Sequence, residues 1–295
     1  QGDLFGTENS FKVLRGRIAA LKDPEVFALK RAQEKELRDF VDADPERKAK
    51  YGAAWDEIAR AVAVERDLLD QYAWIEGGRG FYSRLFGHAQ TLVRGAAERD
   101  KPDGERLREY TDSRLPAVTQ RLFSSAPVYP AFEKVKLGWS LVKLRENLGT
   151  NDPFVQKVLA KESPEALAKR LVDGTRLADP AVRRELWEGG SAAIARSEDP
   201  FIVFARSIDA DARAIRKRFE TEVDSVIDRN SELIAAARFE KYGTSVHPDA
   251  TFTQRFSFGE VKGWVEKGEP VMPFTTMGGA FGHATGYYPF ALPQS

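Results

Sequence analysis

The sequence predicts a mainly α-helical protein, an irregular helical bundle with one very long helix, followed by a C-terminal β-hairpin and a loop-rich tail. Three observations predict it. From Asn9 to about Tyr242 the chain is rich in Ala, Leu, Glu, Lys and Arg and is punctuated by Asp-Pro and Ser-Pro steps. An apolar stripe runs from Phe204 to Ala237 at alternating spacings of four and three. After Tyr242 the composition changes: residues 246–295 hold only 7 charged residues, yet 7 of the 23 Gly and 5 of the 15 Pro. The boundary is placed there, with a helical domain over 1–245 and a hairpin and Gly/Pro-rich tail over 246–295.

The Asp-Pro and Ser-Pro steps are Asp23-Pro24, Asp44-Pro45, Asp152-Pro153, Ser163-Pro164, Asp179-Pro180 and Asp199-Pro200. In each, the first side chain can accept from an orphan amide, and Pro occupies the first helical turn at no loss. Gly149, Gly174, Gly189-Gly190 and Gly243 follow periodic stretches and read as helix stops. The longest helix is expected from Pro200 to about Tyr242, along Phe204, Ile208, Ala212, Ile215, Phe219, Val223, Val226, Asn230, Leu233 and Ala237. Asn230 within that stripe is expected to set register or meet a polar partner. Trp55, Ile58, Val62, Leu69 and Tyr72 predict a second long helix from Pro45 to Ile75, ended by Gly77-Gly78-Arg79-Gly80. Further helical segments are expected over about 80–98, 103–124 and 130–148. In the tail, Thr251–Phe258 and Val261–Trp264 read as two strands with Gly259-Glu260 as the turn.

Charge and composition exclude several functions. The 45 Lys+Arg cancel the 45 Asp+Glu, whereas binding to nucleic acid or to an anionic membrane rests on excess positive charge. No apolar run approaches the roughly 20 residues of a membrane span. With no Cys, thiol nucleophiles, disulfides and Cys-based metal or iron–sulfur sites are excluded. The start at Gln1 has no basic region leading into an apolar one, and reads as an excised or processed segment.

The residues supply no catalytic constellation. His88, His247 and His283 have no further ligand at metal-binding spacing. No metal or other cofactor is expected, and His88 reads as a partly exposed helix residue. No Ser lies in a Gly-x-Ser-x-Gly context, and Gly278-Gly279-Ala280-Phe281-Gly282 fits no phosphate-binding loop. Charged clusters such as Glu34-Lys35-Glu36 and Arg216-Lys217-Arg218 read as solvated helix faces.

Several segments nonetheless share a pattern: Glu8-Asn9-Ser10-Phe11-Lys12; Asp199-Pro200 leading the long helix with Asp209, Arg213 and Arg216-Lys217; Ala235-Ala236-Ala237-Arg238-Phe239; and Tyr242-Gly243 before His247-Pro248-Asp249-Ala250-Thr251-Phe252-Thr253. Pro273-Phe274-Thr275-Thr276 and Pro289-Phe290-Ala291-Leu292-Pro293 continue it to the end. The chain thereby resembles the bacterial dipeptidyl-peptidases of serine-peptidase family forty-six, those of the seven and eleven types, although the family often has Tyr where this chain has His247.

The resemblance implies a chymotrypsin-like double β-barrel with a large inserted helical domain, in an enzyme that removes dipeptides from the free N-termini of oligopeptides in the periplasm. The chain matches the insert, with its tail as the start of a barrel domain. The catalytic His and Asp are then expected before Gln1 and the nucleophilic Ser beyond Ser295, so this chain alone should hydrolyse no dipeptide substrate. The expected partners are an oligopeptide with a free N-terminus and the rest of the parent peptidase; a homodimer is compatible with this reading.

The family uses an Asn of its helical domain to recognise the substrate's amino group, and Asn9 is the position that matches it. Phe11, Leu14, Ile18 and Leu21 are expected to form a buried face of its helix, with Asn9 on another face beside Val13, Gly16 and Ala20. The structural alternative is that Asn9 caps a helix beginning at Ser10. The alternative for the whole chain, from a different class, is a non-enzymatic helical scaffold that binds a partner protein along the long stripe.

Overall fold

Every Asp-Pro or Ser-Pro step caps a helix in the computed structural model, which describes residues 2–245, 258–287 and 290–293. The α-helices are α1 (Gly2–Leu21), α2 (Pro24–Asp42), α3 (Pro45–Tyr51), α4 (Ala54–Gln71), α5 (Arg84–Arg99), α6 (Leu115–Leu122), α7 (Pro130–Leu148), α8 (Pro153–Leu159), α9 (Pro164–Gly174), α10 (Pro180–Glu188), α11 (Gly190–Arg196), α12 (Pro200–Phe219), α13 (Ser225–Tyr242) and α14 (Met277–Gly282). Asp23, Asp44, Asp152, Ser163, Asp179 and Asp199 each accept from a backbone amide of the turn they precede. The chain divides into two compact units, residues 1–243 and 244–295.

The long helix from Pro200 to Tyr242 exists: α12 passes into α13 through one wide π-turn at Glu220–Asp224, without leaving right-handed helical dihedrals. Its stripe faces inward. Phe204, Ile208, Ala212, Phe219, Val223, Asn230 and Ala237 are all buried within this unit, so the stripe offers no docking surface of the kind the scaffold alternative needs. Asn230 is satisfied by its own helix, its Nδ2 donating to the Val226 carbonyl at 2.7 Å.

A second π-turn, Tyr72–Glu76, ends α4. Phe219 stacks on Tyr72 with ring centroids 4.0 Å apart, and Leu68 and Val223 are buried in the same small cluster. A stacked pair adds to area burial, and this cluster joins two larger cores. One is a body of α5 to α12, in which Leu92, Leu137, Leu141, Leu144, Leu171 and Phe201 are almost completely buried. The other is a tip where Leu37, Val41, Tyr51 and Ala237 meet. Because Phe219 holds the joint, Phe219→Ala is expected to cost about 3 kcal/mol of stability, read as a lower denaturation midpoint. A cost under about 0.5 kcal/mol would mean that the joint is not packed.

Four expectations are corrected. The helix expected over Pro45–Ile75 is broken at Gly52-Ala53, because Tyr51 is buried and its hydroxyl bonds Glu240 at 3.0 Å, which fixes α3 against α13 before α4 begins. Within 103–124 only Leu115–Leu122 is α-helical; short 3-10 turns at Asp103–Glu105 and Arg108–Tyr110 precede it. Helix α1 begins at Gly2, so Asn9 lies in mid-helix and is not a cap; Phe11, Leu14, Ile18 and Leu21 are exposed, since among the described residues α1 packs mainly on α2.

The fourth correction is the hairpin, which forms further along than expected, between β1 (Trp264–Glu266) and β2 (Glu269–Val271). Its turn is Lys267-Gly268, where both residues have positive φ, 52° and 88°. That is the geometry of a two-residue type I′ turn, which matches strand twist. Gly259-Glu260 forms no turn; of the expected first strand, Thr251–Phe258, residues 251–257 lie outside the described residues, as does His247, and Phe258 is in no strand. No barrel is formed by the described residues. None of their helices is long and apolar enough to cross a membrane.

Candidate functional site

Arg94 on α5 is the centre of the most extensive polar assembly. Its Nη1 and Nη2 donate to the two carboxylate oxygens of Glu76 at 2.8 and 2.6 Å, and its Nε donates to Asp209 at 2.7 Å. Asp209 also accepts from Arg213 at 2.6 Å; Arg213 in turn reaches Glu98, which accepts from Lys101 and from the Leu107 amide. Arg216 is bound to Glu109 and Glu220. The Arg94, Glu76 and Glu98 side chains are 5%, 7% and 0% exposed, so these are largely desolvated charges. Buried charges are tolerable only when paired with good geometry, and the bidentate fork supplies it.

The local sequence explains the arrangement. Asp209, Arg213 and Arg216 recur at spacings of four and three on α12, which puts them on one face. Arg94 and Glu98 are four apart on α5, and the π-turn after α4 carries Glu76. The assembly therefore ties three elements together. Nearby, Gly95 lets α5 approach α10: an added Cβ would lie 2.3 Å from a ring carbon of Trp187.

The electrostatics fix the charge states. Burial works to raise the Glu98 pKa, but hydrogen bonds from Lys101, the Leu107 amide and Arg213 outweigh it and hold it at about 2. Burial also works against the charge on Arg94, and Glu76 and Asp209 outweigh it, raising its pKa above the usual guanidinium value. Glu98 and Arg94 therefore stay ionised at neutral pH and hold shape rather than move protons.

Asn9 lies on the exposed surface of α1. Its flanking residues are tied up locally: Glu8 pairs with Lys12 at 2.9 Å, and the Ser10 hydroxyl donates to the Gly6 carbonyl. Among the described residues the Asn9 amide has no hydrogen-bond partner and is free to meet a ligand. His88 is a partly exposed residue of α5, and His283 follows α14. No cluster of three or more His, Asp or Glu residues able to hold a metal occurs among the described residues.

The structure thus assembles Asp209, Arg213 and Arg216, three positions of the sequence pattern, and leaves Asn9 apart from them on α1. The solvated-face reading is right for Glu34 and Lys35, which pair with Arg38 and Asp39, each four residues on along α2, and wrong for Arg216, whose side chain is 16% exposed. Glu76, Arg94, Glu98 and Glu109 were not foreseen. The signal for two of them was the i, i+4 pair Arg94/Glu98 on a helix otherwise rich in buried apolar positions.

A family model, Peptidase S46, matches residues 1–295. The chain belongs to peptidase family S46. An Asp/Glu-specific dipeptidyl-peptidase of Shewanella putrefaciens is 24% identical over 303 residues, covering 99% of this chain and 40% of that protein. Among solved structures, DPP11 of Porphyromonas endodontalis, in complex with the dipeptide Arg-Glu, shares the fold of this S46 chain with a TM-score of 0.61 at 19% identity, over 98% of this chain and 41% of the other. The chain therefore spans about two fifths of the length of each. The family is the one that its sequence pattern resembles.

Proposed function

We propose that the helical unit is the cap of a serine-type dipeptidyl-peptidase that releases dipeptides from the free N-termini of oligopeptides in the periplasm, and that Asn9 binds the substrate's amino group. The family match over residues 1–295 carries this reading. It is supported by the dipeptidyl-peptidase name of the curated relative and by the dipeptide bound to the solved one.

The chemistry suits the role. An ammonium group offers donors only, and the amide oxygen of Asn accepts one without being able to remove the proton. A side chain of that kind positions the substrate and takes no part in bond cleavage. A helical cap that closes over a peptide excludes water and limits entry to chain ends. Its rigidity comes from the ion-pair assembly between α5, α12 and the Tyr72–Glu76 turn, and its joint is the Tyr72–Phe219 stack.

The test is product analysis of the full-length parent enzyme on one oligopeptide, with a free and with an acetylated N-terminus. The free peptide is expected to lose two residues at a time, while the acetylated one stays intact. Single-residue release, internal cleavage or equal cutting of both forms would contradict the proposal.

A further inference from the structure

A groove of about 410 Å³ lies between α5 and the segment around α6, and it shares Arg84, His88 and Arg121 with a neighbouring hollow of about 590 Å³. Both volumes fall in the range of small-molecule sites. The lining is unusually one-sided in charge. The side chains of Arg84 and Arg121 face it and neither is paired with a carboxylate among the described residues; the Arg84 guanidinium reaches only the Pro127 carbonyl, at 3.2 Å, while its backbone amide donates to Glu133. The one lining carboxylate, Glu109, is already held by Arg216 through both of its oxygens.

An independent observation lies behind the wall. Arg183 is 1% exposed, and all its hydrogen bonds go to backbone carbonyls: Nε to Leu122 at 2.6 Å, Nη1 to Leu177 and Ala178 at 2.6 and 3.0 Å, and Nη2 to Ser124 at 2.6 Å. A buried guanidinium normally meets a carboxylate. Here it has none within hydrogen-bond reach, and two of the residues whose carbonyls hold it, Leu122 and Ser124, line the groove and its neighbour. Asp179 offsets its charge only from a distance, and that charge is felt in the groove, where it acts on His88.

The lining also offers neutral donors. Burial pushes the Tyr110 hydroxyl up to about 12, so it stays protonated. Burial, then Arg183 and Arg84, hold His88 down at about 4, against a smaller opposing pull from Glu133. His88 has no hydrogen-bond partner among the described residues, and its neutral ring leaves one N–H to donate.

We propose that this groove binds a small multivalent anion bearing carboxylate or phosphate groups, with Arg84 and Arg121 as its direct charge partners and Arg183 as a buried counter-charge. Guanidinium forks suit either kind of group. The site is independent of the peptidase reading.

Calorimetry at low salt with citrate and with inorganic pyrophosphate separates the two chemistries. At least one is expected to bind the full-length protein with a Kd of about 1 mM or tighter, and an Arg84→Gln/Arg121→Gln double variant to bind at least about tenfold more weakly. Both side chains are exposed, so the variant should fold, and its melting curve checks that. A second readout needs no variant: saturation with the anion should raise the pKa of His88 followed by NMR. Absence of binding by both probes, unchanged affinity in the folded double variant, or a His88 titration unmoved at saturation would overturn the proposal.

Discussion

Replacing Arg94 by Met is expected to lower stability by about 3–5 kcal/mol, seen as a fall in the denaturant midpoint at an unchanged slope. The residue is 4% exposed and makes three charge-assisted hydrogen bonds, two to Glu76 and one to Asp209. Its removal leaves Asp209 with only Arg213, at 2.6 Å, and the largely buried Glu76 with only the more distant Arg216, at 3.6 Å. Arg94→Lys keeps the charge but not the planar fork, and should fall between the two. A loss under about 1 kcal/mol for Arg94→Met would mean that the assembly is hydrated and contributes as little as a surface pair.

The same assembly sets an acid limit. Glu98 has its pKa lowered to about 2 from an ordinary value of 4.5, so the folded state binds fewer protons than the unfolded one between those values. Its contribution is complete above about pH 5 and is lost as pH falls toward 2. Glu98→Gln should flatten that part of the stability profile, and a wild-type curve with no slope there would contradict the assignment.

Local chemistry was legible in the sequence, and long-range pairing was not. The six caps could be read because an Asp or Ser beside Pro acts on amides two or three residues away. The π-turn at Glu220–Asp224 left a trace that alternating spacings conceal. Buried positions run 205, 212, 219 in steps of seven and then 223, 230, 237 in steps of seven, offset by four at the turn. Such an offset is a stutter in a heptad, and the wide turn absorbs it.

The hairpin was misplaced because Lys267-Gly268 lacks the Asn or Asp that usually announces a type I′ turn, while the aromatic run before it drew attention upstream. Within the polar assembly, Asp209, Arg213 and Arg216 stood out on one helix face. Their partners Arg94, Glu98 and Glu109 are more than 100 residues away in sequence, where periodicity carries no signal.

In the complete enzyme, Asn9→Ala is expected to lower kcat/KM by roughly 10- to 150-fold, since a hydrogen bond to a charged group contributes about 1.5–3 kcal/mol. Stability should not fall. Asn9 is exposed in the middle of α1, and Ala is the better helix former there by a few tenths of a kcal/mol.

The central claim is that this side chain reads the charge of a peptide's N-terminus. The direct measurement compares kcat/KM for a substrate with a free α-amino group and for the same substrate with a hydroxyl in its place, in wild type and in Asn9→Ala. The wild-type preference for the amine is expected to shrink at least about tenfold in the variant, with the hydroxyl substrate little changed. An equal loss on both substrates, or none on either, would show that Asn9 does not recognise the amino group.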